Sequence, residues 1–115
     1  MKTKYLVFFI ILLIVIFAGC VGEKTGEQVS PGASKGKDIY LANCAGCHGP
    51  QGRGDGPMAS NLPAPPQDLT VAKGKSDAEL KSTIKEGIMA MGMPAFEGAL
   101  SDEEVQDVTE FLRIL

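Results

Sequence analysis

The chemistry in this chain of 115 residues is concentrated in Cys44-Ala45-Gly46-Cys47-His48. The pattern is C-x-x-C-H, the spacing of covalent c-type haem attachment. On a helix, two cysteines three residues apart project to the same side. There they can add to the two vinyl groups of one porphyrin, with the adjoining histidine beneath the iron. Other readings of the thiols explain less. A thioredoxin-type redox pair belongs beside a βαβ pattern, which this sequence lacks. A zinc site takes four ligands, but His48 is the single histidine and the third cysteine is Cys20, near the N-terminus. A structural disulfide leaves His48 without a role.

Iron held by one histidine needs a second axial ligand to serve electron transfer, and methionine is the choice that raises the potential. Met58, Met89, Met91 and Met93 are the candidates. Methionines at helical spacing are ordinarily core filler. Met93 differs because Pro94 follows it, which pushes its backbone to an extended conformation, while Gly92 in front adds freedom. Those neighbours suit a fixed loop position, 45 residues after His48. Met89 and Met91, at or just past a helix end, are the fallbacks, and Met58 lies in the preceding loop.

Three helices are predicted to position these groups. The first runs from about Ser34 to Cys47, with Ile39, Tyr40, Cys44 and Cys47 on one side. The second follows Ser76, whose partner Glu79 completes a capping-box pattern ahead of Leu80, Ile84 and Ile88. The third follows Ser101, with Glu104 in the same role and Val105, Val108, Phe111, Leu112 and Leu115 facing inward. Asp102, Glu103 and Glu104 complement that helix's positive end, so the acidic cluster reads as helix chemistry rather than a docking site. No run alternates apolar and polar residues, so the fold class is all-α. Between the first two helices lies the stretch 49–75, with five of the seven prolines. A loop that long wraps something functional, since neither flank is large enough to fold alone.

Composition agrees with a chain that needs help to form a core. Residues 1–20 hold four of the seven aromatic residues and 16 of the 51 apolar ones. Beyond residue 20 only Tyr40, Phe96 and Phe111 remain as aromatics, too few for a comfortable core without a staple or cofactor. Met1-Lys2-Thr3-Lys4 followed by an uncharged stretch from Tyr5 to Gly22 reads as a basic n-region and an apolar h-region. An uncleaved anchor is the other reading, at the short edge of a membrane span. The ending Phe17-Ala18-Gly19-Cys20 resembles a bacterial-type lipoprotein signal, which implies that Cys20 becomes the lipidated first residue. Residues 1–19 are thus expected to be a lipoprotein-type signal peptide or anchor, 20–33 a flexible tether, and 34–115 the folded domain. From Cys20 onward, nine Lys and Arg face fourteen Asp and Glu, a net −5, without the basic patch that nucleic-acid binding requires.

Taken in order, Gly36-Lys37-Asp38-Ile39-Tyr40, Asn43-Cys44-Ala45-Gly46-Cys47-His48-Gly49, Gly92-Met93-Pro94-Ala95-Phe96 and the final helix with Phe111-Leu112 resemble a class I c-type cytochrome over about residues 34–115. The resemblance implies one covalent haem c in a small helical domain whose terminal helices cross, with Gly36 and Tyr40 meeting Phe111 or Leu112. It implies Cys44 and Cys47 as the thioether links, His48 and Met93 as axial ligands, and a loop proline (Pro57, or else Pro63) whose carbonyl orients His48. The expected function is a one-electron carrier, not an enzyme, anchored at the outer face of the cytoplasmic membrane or periplasmic. Its partners would be membrane-bound or soluble redox proteins met by transient contact, with no small-molecule substrate. A haem-based sensor or gas-binding module, and a small cytochrome subunit of a membrane oxidoreductase complex, are the alternatives.

Overall fold

The computed structural model describes residues 29–115; the expected signal peptide or anchor and Cys20, its expected lipidation site, lie outside the described residues. Among the described residues four helices form: α1 (Pro31–Asn43), α2 (Ala45–His48), α3 (Asp77–Glu86) and α4 (Asp102–Leu112). Short 3₁₀ turns occupy Ala59–Asn61, Leu69–Gly74 and Met89–Met91. Among the described residues there is no strand, only the isolated bridges Ile88–Met93 and Glu97–Leu100. The domain is all-α.

The first predicted helix is in fact two. α1 starts at Pro31 rather than Ser34, so residues 31–33, expected in the tether, are helical. Ser30 caps the start by accepting from the Ala33 N–H, with proline in the first turn, where its missing N–H costs nothing. At Cys44 the backbone departs from helical values (φ −115°), and α2 restarts at Ala45. α2 stops at Gly49, whose φ of +78° favours glycine. The loop beyond closes on the end of this short helix. The N–H groups of Gly54, Gly56 and Met58 donate to the carbonyls of His48, Cys47 and Gly46 at 2.8, 3.1 and 2.8 Å.

Both predicted capping boxes form, Ser76 with Glu79 and Ser101 with Glu104. Leu80 and Ile84 are buried on α3 as expected. Ile88 is not on that helix, because Gly87 ends it with φ +68°. On α4, Val105, Val108, Phe111 and Leu112 are buried, while Leu115 lies beyond the helix and packs on the core from its edge. Of the acidic cluster, Glu104 serves the cap, Asp102 pairs with Lys85 of α3, and Glu103 reaches Lys35 of α1 at 3.4 Å.

The main packing event is the crossing of α1 and α4. Gly36 lies against the backbone of Asp107 and Val108, where a Cβ would overlap the Asp107 carbonyl. It therefore meets α4 one turn before Phe111 and Leu112, the residues expected for it. Tyr40 does meet Phe111, with ring centroids 5.2 Å apart and planes tilted by 52°. Tyr40, Ile84, Val105, Val108, Phe111 and Leu112 make up the core.

Candidate haem site

One side of that core is left open. A cavity of about 210 Å³ has Cys44, Cys47 and His48 on one wall. Leu69, Val71 and Ala72 come from the wrapping segment, Leu80 and Ile84 from α3, and Val108 and Leu112 from α4. Ile88, Met91, Met93, Pro94 and Phe96 complete it. The three groups of the C-x-x-C-H motif are thus brought together on one cavity.

The restart of the helix at Ala45 places both thiols, free and half-buried, at this wall. Burial, and secondarily the neighbouring Cys47, push the Cys44 thiol up to about 11. His48 Nδ1 lies 3.3 Å from the Gln67 carbonyl. Burial lowers the His48 pKa, against the opposing pull of that carbonyl. Burial thus favours the neutral ring, and with Nδ1 engaged, Nε2 is the nitrogen free to coordinate.

The carbonyl facing His48 belongs to neither expected proline. Pro57 is exposed beside the loop that caps α2, and Pro63 packs near Gly92 instead. Gln67 was missed in the sequence. Its signal was the preceding Pro65-Pro66, a stiff pair that lines the cavity and fixes the direction of the chain arriving at Gln67.

The methionines separate by position. Met91 and Met93 line the cavity. Met58 sits over Gly46, its sulfur 3.3 Å from where a Cβ on that glycine would stand, and is 54% exposed. Met89 is 74% exposed and does not line the cavity. Met93 is gripped through its backbone: Ile88 N–H donates to its carbonyl at 2.9 Å, and its own N–H donates to Ile88 O at 3.2 Å. Gly92, at φ +85°, reverses the chain just before it. The next residues fold back on α3, with Phe96 N–H donating to Ile84 O at 3.2 Å.

Two free thiols, an imidazole, two cavity-lining thioethers and walls built mainly of apolar side chains are a donor set that fits haem. The sequence profile of the Cytochrome c family matches residues 33–115. The chain belongs to the cytochrome c family. Haem c, covalently bound, is the cofactor that this membership gives it.

Among individual members, this cytochrome c is 35% identical over 81 residues to cytochrome c6 of Leptolyngbya boryana, covering 70% of this chain and 88% of that one. It is 33% identical over 105 residues to the Cbb3-type cytochrome c oxidase subunit FixP of Bradyrhizobium diazoefficiens, covering 89% of this chain and 34% of that one. The chain spans about a third or less of the length of the oxidase and alcohol dehydrogenase subunits it matches. In structure it resembles a chain of the reducing HAO-like protein complex of Kuenenia stuttgartiensis. The TM-score is 0.66 at 32% identity, over 74% of this chain and 44% of that one.

Proposed function

We propose that this cytochrome c is a one-electron carrier, not itself an enzyme, in which Cys44 and Cys47 hold one haem c and His48 and Met93 fill its axial positions. The observation that carries this reading is that one apolar cavity gathers both thiols, His48 and the backbone-clamped Met93. Haem bound there supplies a reversible Fe(II)/Fe(III) couple. The residues of the chain do the rest. The Gln67 carbonyl fixes the His48 tautomer, the Ile88 bridge fixes the Met93 backbone, and the apolar walls exclude water. With His48 and Met93 both holding the iron, little of the chain would have to move on electron exchange. At the rim, exposed Val71 and Met91 offer partners a small apolar surface, suited to weak, transient contact.

In this proposal the carrier works outside the cytoplasm, lipidated at Cys20 and held by the tether residues to the outer face of the cytoplasmic membrane. The tether raises its effective concentration near membrane-bound donors and acceptors. No helix among the described residues is long and apolar enough to cross a membrane. The second reading, a small cytochrome subunit of a membrane oxidoreductase complex, is favoured by the likeness to the Cbb3-type oxidase subunits and to the cytochrome c subunit of a quinone alcohol dehydrogenase. Co-purification with a partner from native membranes separates it from a free carrier. A gas sensor is disfavoured by the clamp on Met93, since sensing needs an easily displaced sixth ligand.

The deciding experiment is a haemochrome spectrum of protein made in a host with a c-type maturation system. One covalent haem per chain and slow, incomplete CO binding by the ferrous protein are expected. Absence of covalent haem overturns the reading, and fast, complete CO binding replaces it with the sensor.

A further inference from the structure

The wrapping segment is pinned at two points. At its near end, Leu69 N–H donates to Gly52 O at 2.6 Å. At its far end, Arg113, the residue that closes α4, reaches across. Its Nη1 donates to Ala72 O at 3.2 Å and its Nη2 to Lys75 O at 2.7 Å. The same guanidinium grips the Asp77 carboxylate, with Nε at 2.9 Å and Nη2 at 2.5 Å. One side chain thus joins the end of α4, the strap at 69–75 and the first residue of α3.

Between Thr70 and Lys75, these are the only hydrogen bonds that arrive from another element among the described residues. The others are local, Thr70 to Asp68 and Lys75 N–H to Ala72 O. The inner side of the same strap supplies Leu69, Val71, Ala72 and Lys75 to the cavity. Arg113 therefore holds from outside the wall that faces the haem from inside. A cation at a helix C-terminus is ordinarily favourable through the helix dipole. Here, however, the guanidinium donates to none of the α4 carbonyls and spends its planar fork on three groups elsewhere. Lysine, a point charge without that fork, could not span them.

We infer that Arg113 is a positioning residue for the redox site, a clasp that keeps the 69–75 strap closed over the haem and so sets how far solvent reaches the cofactor. This rests on the cavity being the haem site. Opening the strap admits water, and burial is one of the levers that set a haem potential.

The test compares wild type, Arg113→Ala and Arg113→Lys as holoproteins, by amide hydrogen exchange and by redox titration. Losing charge-assisted hydrogen bonds should make residues 70–75 exchange roughly tenfold faster or more in both variants. Interior amides of α1 and α4 should be unchanged, and the midpoint potential should fall. Unchanged exchange in the strap overturns the clasp, as does equal acceleration throughout the domain. Wild-type behaviour of Arg113→Lys also overturns it, because charge at the helix end would then suffice. If Arg113→Ala does not accumulate, Arg113→Lys carries the comparison alone. A wild-type chain that takes up no haem strikes the haem reading rather than the clasp.

Discussion

The Tyr40 hydroxyl donates a 2.7 Å hydrogen bond to the carbonyl of Gly49, the residue that follows His48. The ring of Tyr40 is wholly buried against Phe111, so a single side chain fastens the helix crossing to the end of the haem-attachment motif. Burial, and then the nearby Cys44 and Asp55, push its hydroxyl up to about 12 from an ordinary 10.0. An acid that holds its proton more tightly when folded stabilises fully below its unfolded value and loses that contribution as pH rises toward the folded one. Tyr40→Phe should therefore lower stability by about 1 kcal/mol at neutral pH. It should also remove part of the alkaline destabilisation between pH 10 and 12. Denaturant melts at neutral and alkaline pH check both.

At Gly36 the crossing has no room for a methyl group, because the carbonyl of Asp107 occupies its place. Backbone cannot yield as a flexible side chain can. Gly36→Ala should cost about 3 kcal/mol or more, read as a fall in melting temperature or in accumulated holoprotein. Gly74→Ala is the control, since nothing stands within 4 Å of its Cβ position, and it should stay within about 0.5 kcal/mol of wild type.

What could be read in the sequence was what is decided within a turn of helix. Ser76 with Glu79 and Ser101 with Glu104 are bonds between residues three apart, and their patterns were legible as such. So was the C-x-x-C-H motif, whose three groups line one cavity. The start of α1 escaped because Ser30-Pro31-Gly32 reads equally as linker composition, although a capping serine ahead of proline is a helix signal. The contacts that shape the cavity from outside were not legible, because they join residues distant in sequence. His48 meets the Gln67 carbonyl across 19 residues, and Arg113 meets Ala72 across 41. Each of those carbonyls belongs to the backbone, so residue type carries no trace of it.

Met91 and Met93 both line the cavity, but only Met93 has its backbone fixed from both sides by Ile88. Met93→Ala should abolish the ferric thioether charge-transfer absorption and lower the midpoint potential, while Met91→Ala leaves the absorption in place. The opposite pattern in the two spectra would transfer the ligand to Met91.

Glu79 and Glu104 are held below their ordinary 4.5 by hydrogen bonds, Glu79 first from the Ser76 side chain and Glu104 first from the Ser101 backbone N–H. A depressed carboxylate stabilises above its unfolded pKa, and the contribution is lost as pH falls through the lower folded value. The holoprotein should therefore lose stability on acidification below about pH 4.5. Glu79→Gln with Glu104→Gln, which keeps acceptor geometry and removes the charge, should flatten that decline. Melting temperatures between about pH 3 and pH 6 give the comparison.

Removing the cofactor tests what the protein core can do alone. Tyr40, Ile84, Val108 and Leu112 belong at once to the core and to the cavity wall. Without haem, four of the six core residues therefore border open space instead of packed atoms. A gap at this scale forfeits both transfer energy and contacts. In a domain this small, with three aromatic residues beyond residue 20, little remains to offset the entropy of ordering the chain. Cys44→Ser with Cys47→Ser, which blocks covalent attachment, should leave a chain of low helix content by circular dichroism and without a cooperative melt. A compact, cooperatively melting double variant would mean that the crossing of α1 and α4 is self-sufficient and that haem fills the cavity without holding the fold together.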